Sequence, residues 1–246
     1  MNTNAAQNFI AVVDYGAGNL RSAARALQWA VASTGLSLAV RVTSRPEEVA
    51  KAVRIVLPGQ GSFGACMAAL RETPGMLETL EVQVRRGGVP FLGICVGMQL
   101  MADEGLEHGH CAGLGWIPGR VVPLRGLIDQ HEAQPQKVAA IGGGGAVLAP
   151  SGLPRIPHMG WNEAHLTAAG TWHPLFRGLQ SGKHFYFVHS FVVECEDGAH
   201  VLAKSEHGLP FACAVARDNM AGVQFHPEKS QRAGLALLEN FVRWRP

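Results

Sequence analysis

Four short apolar runs in the first hundred residues constrain the fold more than any other feature of the chain. Phe9 to Asp14, Leu38 to Val42, Val53 to Leu57 and Val89 to Ile94 have the length and composition of interior strands. The segments between them are helical in pattern. Leu20 to Val31 carries apolar residues at helical spacing, and Arg45-Pro-Glu-Glu opens a helix with acid in its first turn, where the helix dipole favours it. Two further helical stretches cover roughly Gly64 to Arg86. Short apolar strands separated by helices predict a parallel sheet covered on both faces. Ligands of such sheets bind beyond the C-terminal strand ends, so loops 15–19, 58–64 and 95–97 are expected on one rim.

The second half reads differently. Trp116 to Leu124, His184 to Val193, Val201 to Ser205, Phe211 to Arg217 and Met220 to Phe225 are strand-like and closely spaced, which predicts an antiparallel flank. Ser230 to Trp244 closes the chain as a helix, with Leu235, Leu238 and Val242 on one face. Gly126 to Pro157 is rich in Gly, Pro and Gln, with four glycines at 142–145, and reads as a surface excursion compatible with a hairpin. The expected organisation is a disordered lead-in over 1–8 and one α/β domain over 9–246, interrupted by a surface insertion at 126–156.

Composition excludes several classes of function. A net charge of +2 is too mild to argue for a nucleic-acid or membrane partner. No apolar stretch approaches the roughly 20 residues of a membrane span, and the first residues do not read as a secretory signal. The five cysteines are scattered and form no C-x-x-C pair, and the eleven histidines show no H-x-x-x-H spacing. The expectation is a cytoplasmic protein with no metal and no cofactor.

The stretch FLGICVGMQL, residues 91–100, carries the first chemical signal. An apolar strand ends at Cys95, with Gly93 and Gly97 two residues to each side, and turns at once into a helical segment. The glycines let two backbones pass closely, as in a nucleophile elbow that holds its apex residue out at the end of a sheet. Unpaired N–H groups at the following helix start favour an anionic sulfur. The stretch alone is equally compatible with a buried structural cysteine. The candidate base lies far downstream, in GVQFHPEKS. Val223 to Phe225 is a strand end, and Pro227 keeps the residue before it extended. Residues two apart on an extended segment point the same way, so His226 and Glu228 are expected to face a common site. The carboxylate would fix the imidazole tautomer and leave the other ring nitrogen for the thiol proton. For the negative charge developing on an attacked carbonyl, Val96 N–H is one donor, and the loop Pro58-Gly59-Gln60-Gly61 could supply another.

PGxGxF, GxCxGMQL and a C-terminal VQFHPEKS, in this order, resemble the class I (triad) glutamine amidotransferases. DYGAGN near the start, PHMGWN at 157–162, YFVHSF at 186–191 and HPEKSQ narrow the resemblance to the glutaminase subunits of imidazole glycerol phosphate synthases. It spans about residues 9 to 244. The resemblance implies a flavodoxin-like, mostly parallel open sheet with helices on both faces. It also implies that Cys95 attacks the carboxamide of glutamine, that His226 relays protons, and that Glu228 orients His226. Gly59, Gly61 and Val96 would line the oxyanion site, while Gln99 and the backbone of His189, Ser190 and Phe191 would hold the polar end of glutamine. Ammonia would pass to a (β/α)8-barrel cyclase subunit in a heterodimer, there to form imidazole glycerol phosphate and an aminoimidazole ribotide in histidine biosynthesis. Asn19, Trp161, Tyr186 and Lys229 would sit toward that partner.

Two departures stand out. Phe191 occupies a position where the family usually has Tyr, which weakens a hydroxyl role there but not a backbone one. The excursion before PHMGWN is longer than the family pattern. Three other readings remain open at this level: a glutaminase serving another ammonia-using synthase, a cysteine hydrolase or thiol-redox protein of related topology, and an inactive binding subunit. The last is disfavoured by the presence of Cys95, His226 and Glu228 together.

Overall fold

A computed structural model of the chain describes residues 8–133 and 154–246. The expected lead-in, apart from Asn8, and most of the predicted excursion lie outside these residues. In the first half, β1 (Phe9–Val13) leads to helix α1 (Leu20–Thr34), and β2 (Ala39–Thr43) to a single turn, α2 (Pro46–Val49). Strand β3 (Arg54–Gly59) is followed by α3 (Phe63–Glu72) and α4 (Met76–Leu80), which runs on with π-type hydrogen bonding over Glu81–Arg86. Strand β4 (Phe91–Cys95) turns into one helical turn, α5 (Val96–Gln99). Then come β5 (Ala102–Gly105), β6 (Cys111–Ala112), β7 (Ile117–Pro123), α6 (Leu124–Ala133), β8 (His158–Leu166) and α7 (Ala168–Trp172). The chain ends with β9 (Lys183–His189), β10 (Phe191–Cys195), β11 (Val201–Glu206), β12 (Pro210–Arg217), β13 (Met220–Val223) and α8 (Gln231–Arg243).

Every residue of β1 and of β4 is buried, as their uninterrupted apolar sequences require of strands covered on both faces. Helix α1 buries Ala23, Leu27, Ala30 and Val31, a stripe at helical spacing, and packs against α8, which buries Leu237, Leu238 and Phe241. The helix stops at Gly35, whose φ of 69° is left-handed and costs a glycine little. No helix among the described residues is long and apolar enough to cross a membrane.

The parallel core has the order β2-β1-β3-β4-β13, the flavodoxin-like arrangement with the last strand contributed from the end of the chain. Beyond β13 the sheet turns antiparallel through β12, β10 and β7, while β11 and β8 extend from β12 to carry β9. The fold is therefore the expected mostly parallel open sheet with an antiparallel flank. The three loops predicted to share a rim do so. Tyr15 Oη donates to Pro58 O at 2.8 Å, a side chain at Gly18 would press on Pro58, and Gly59 lies opposite Cys95 in the β3–β4 register.

Two sequence expectations need correction. The strand expected over His184 to Val193 is two strands broken at Ser190, because β9 pairs with β8 whereas β10 lies between β7 and β12. The start of the predicted excursion is helix α6, anchored by buried Leu124 and Ile128. The hairpin considered for the excursion falls on residues outside the description. The PHMGWN segment, first noted only as a motif, is the start of the nine-residue strand β8.

Candidate active site

Cys95 sits where β4 ends and α5 begins, with φ of 56° and ψ of −114°. That left-handed φ is rare for a residue with a side chain and marks a backbone held under strain by its surroundings. Glycines make the turn possible. A Cβ at Gly97 would overlap the carbonyl oxygen of Leu57, one at Gly93 would press on Gly97, and one at Gly59 would lie 2.6 Å from Gly97 N. The elbow is thus wedged between neighbouring backbones, and the sulfur emerges at the floor of a cavity of about 200 Å³. This is smaller than the ~300–1,000 Å³ of drug-sized sites and suits a ligand the size of an amino acid.

His226 lies three residues beyond the end of β13 and lines the same cavity. Its Nδ1 lies 2.8 Å from Glu228 Oε1, and both side chains are buried, the carboxylate only 3% exposed. The expected convergence is there, but not through an extended segment: His226 is extended, while Pro227–Lys229 forms a 3₁₀ turn that folds the carboxylate back onto the ring. Ser230 locks the turn. Its hydroxyl donates to His226 O at 2.6 Å and accepts from Tyr186 N–H, while His226 N–H donates to Tyr186 O. Burial lowers the basicity of His226, but the neighbouring Cys95 sulfur and Glu228 carboxylate outweigh it and raise the imidazole to about 9. His226 Nε2 is buried and has no hydrogen-bond partner among the described residues.

Residues 11–244 match the family model of the class I glutamine amidotransferases. A Caulobacter vibrioides protein named imidazole glycerol phosphate synthase subunit HisH is 46% identical over 96% of this chain and 99% of its own length. The Zymomonas mobilis protein of the same name is 46% identical over 99% of both chains. The chain is a class I glutamine amidotransferase of the HisH family. A solved glutamine amidotransferase with 18% identity superposes with a TM-score of 0.60 over 94% of this chain and 98% of its own, which supports the fold.

The remaining expected site residues of this amidotransferase fall into three groups. Gly61, Val96, Gln99, His189, Ser190 and Phe191 line the cavity with Cys95 and His226. Gly61 has φ of 111°, open only to glycine. Gly59 does not line the cavity; it lies behind the elbow as a spacer, and its neighbour Gln60 reaches the wall instead. The loop is held from behind, because the Cys66 thiol donates to Gln60 O at 3.6 Å. Lys229 borders the cavity and its ammonium stands 5.6 Å from the centre of the Tyr186 ring, which meets Trp161 edge-on at 6.1 Å. Trp161 is 47% exposed beside exposed Met159, so this aromatic cluster is a surface feature rather than core. Asn19 caps α1 on the rim through its backbone, with no side-chain cap.

Three residues of the site were not singled out in the sequence. Glu107 lines the cavity, with one carboxylate oxygen accepting from Phe63 N–H at 2.7 Å. Gln224 is fully buried, donates to Cys95 Sγ at 3.8 Å and accepts from Gln99 Nε2 at 2.9 Å. Ser230 braces the His226–Glu228 turn as described. A polar residue inside the apolar strand end VQF is the signal that could have found Gln224; Glu107 lies in a loop that carries none. Among the described residues no group of three or more His, Cys, Asp or Glu side chains is placed to hold a metal ion.

Proposed function

We propose that this chain is the glutaminase subunit of imidazole glycerol phosphate synthase and works by a Cys95–His226–Glu228 triad. The observation that carries this reading is the buried 2.8 Å His226–Glu228 pair in the same small cavity as a cysteine on a strained elbow. The Cys95 sulfur adds to the carboxamide carbon of glutamine, and the oxygen takes up negative charge. Val96 N–H and the Gln60–Gly61 segment face that charge from the elbow and from the loop after the neighbouring strand. His226, charged and steadied by Glu228, gives its proton to the departing nitrogen, so the C–N bond breaks and ammonia leaves a thioester. Neutral His226 then takes a proton from water, which attacks the thioester. Glutamate departs and the sulfur is restored.

Glutamine's polar end is met by Gln99, by the 189–191 backbone and by Glu107, whose carboxylate suits the substrate's ammonium group. Ammonia released into water would mostly be protonated, which favours passage into a docked (β/α)8-barrel cyclase over release. The aromatic cluster of Trp161 and Tyr186 with Lys229, together with Asn19 on the rim, is suited to face that partner. We place the reaction in the cytoplasm, in keeping with scattered unpaired cysteines.

The test uses the complex with the cyclase. Cys95→Ser should abolish glutamine-dependent product formation while ammonium salts still support the cyclase. Normal glutamine turnover by that variant would refute the nucleophile assignment, and glutamate release that is full without cyclase and its ribotide ligand would count against the partnership.

A further inference from the structure

His189 lies in the cavity wall, yet both of its ring nitrogens engage protein. Nδ1 is 3.0 Å from Phe191 O, and Nε2 is 2.8 Å from His158 Nδ1. His158 stands directly opposite His189 in the β8–β9 pairing. Asn162, four residues along β8 and so on the same face, places Nδ2 3.2 Å from His158 Nε2. All three side chains are buried, and His207 stacks on His158 at 4.2 Å.

The direction of this chain of hydrogen bonds follows from either end. Phe191 O can only accept, so His189 Nδ1 carries the hydrogen and its Nε2 accepts. His158 Nδ1 then donates, and its Nε2 accepts. At the other end, Asn162 Nδ2 donates to Glu206 O at 2.7 Å and Asn162 Oδ1 accepts from Glu163 N–H at 2.9 Å, which fixes the amide's orientation. Nδ2 therefore also donates to His158 Nε2. Two deductions begun at opposite ends arrive at the same protons. A further proton on either imidazole would set two donors face to face.

We propose that His158 and Asn162 are positioning residues for the substrate-binding wall, acting through His189 to hold the 189–191 turn in shape. The substrate part of this inference rests on the glutaminase reading. Phe191 O takes two donors, His189 Nδ1 and Gln99 Nε2 at 3.1 Å, so the turn and a second wall residue are tied at one atom. Without a donor from His158, His189 is free to adopt its other tautomer, and that clamp loses half its bonds. Binding of glutamine then weakens, while the chemistry at Cys95 is spared.

Two measurements test this. Long-range proton–nitrogen NMR of the histidine rings near neutral pH should find His158 and His189 both neutral and both protonated on Nδ1. Either ring protonated on Nε2, or charged, overturns the relay. In glutaminase kinetics with the cyclase, His158→Leu should raise KM for glutamine about tenfold and change kcat by less than about threefold. His158→Asn keeps a donor near the place of Nδ1 and should return KM to within about threefold of wild type. An equal loss in kcat, an unchanged KM, or failure of the Asn variant to rescue overturns the positioning role. If the Leu variant does not fold, Asn162→Ala stands in, with a smaller rise in KM expected and an unchanged KM overturning the role. A wild-type complex that releases no glutamate sinks the glutaminase reading and leaves the tautomers to judge the relay.

Discussion

His226 and His189 look into one cavity from opposite halves of the sheet and are held in opposite charge states. His226, just beyond the end of β13 in the parallel half, has a carboxylate on one nitrogen and a sulfur near the other. Burial works against its charge, but Cys95 and Glu228 prevail and raise it to about 9. His189, at the end of β9 in the antiparallel flank, has a carbonyl on one nitrogen and an imidazole on the other. Burial, and next to it the charges of His207 and His226, lower it to about 3 despite the Phe191 carbonyl. In the proposed mechanism the same side chain serves as a proton carrier or as a fixed wall according to what stands at its two nitrogens. The two states also support each other, since a charged His226 makes charging His189 more costly.

The sharpest way to break this division is to remove each ring. His226→Asn should lower glutamine-dependent kcat on the order of 10⁶-fold, as loss of a triad base does elsewhere. His189→Asn should lower it by no more than about tenfold and act mainly on KM. Steady-state kinetics of the two variants in the complex decides, and comparable losses in kcat would end the distinction. Next in size is Glu228→Ala, which on the proposed mechanism removes orientation and charge support but leaves the base. A loss on the order of 10³ to 10⁴ in kcat is expected.

How legible each half was follows from the range of the interactions that build it. The parallel core could be read because β1, β3 and β4 are buried on both faces and announce it as unbroken apolar runs. Cys95, Gly93 and Gly97 fall within five residues, so the elbow is a local feature. His226 and Glu228 were also local, although a 3₁₀ turn rather than extended chain joins them. The flank was harder. Strands β9 and β10 are separated by one residue and pair with different neighbours, and strand pairing leaves no mark in a linear sequence. The contact between His158 and His189 depends on cross-strand register, and Glu107 arrives from a loop.

The local half also makes a steric prediction. By helix propensity alone, Gly97→Ala would gain about 1 kcal/mol. The new methyl would overlap Leu57 O, which belongs to β3 and cannot withdraw without disturbing the sheet. Overlap should win, with a net loss of roughly 2–3 kcal/mol in denaturant unfolding. A neutral or stabilising effect would show that the elbow is not wedged as described.

The smallest expected effect separates the two histidines by pH. His226 is raised from 6.5 to about 9, so the stability it contributes is complete below pH 6.5 and is lost as pH rises through about 9. His158 and His189 are lowered from 6.5, to about 2 and about 3, by burial first and by neighbouring histidines. Their contribution is complete above pH 6.5 and drains away as pH falls, because the unfolded chain takes up the protons first. Each group should alter the slope of stability by up to about 1.4 kcal/mol per pH unit. The clean windows are about pH 5 to 6.5, above the titration of ordinary carboxylates, and about 6.5 to 8, below that of ordinary thiols. Unfolding measured across both should show His226→Asn flattening only the alkaline limb and His158→Asn only the acid one. If both variants changed the same limb, the two rings would not be held in opposite states, and the division between carrier and wall would fail on thermodynamic grounds even where the kinetics agreed.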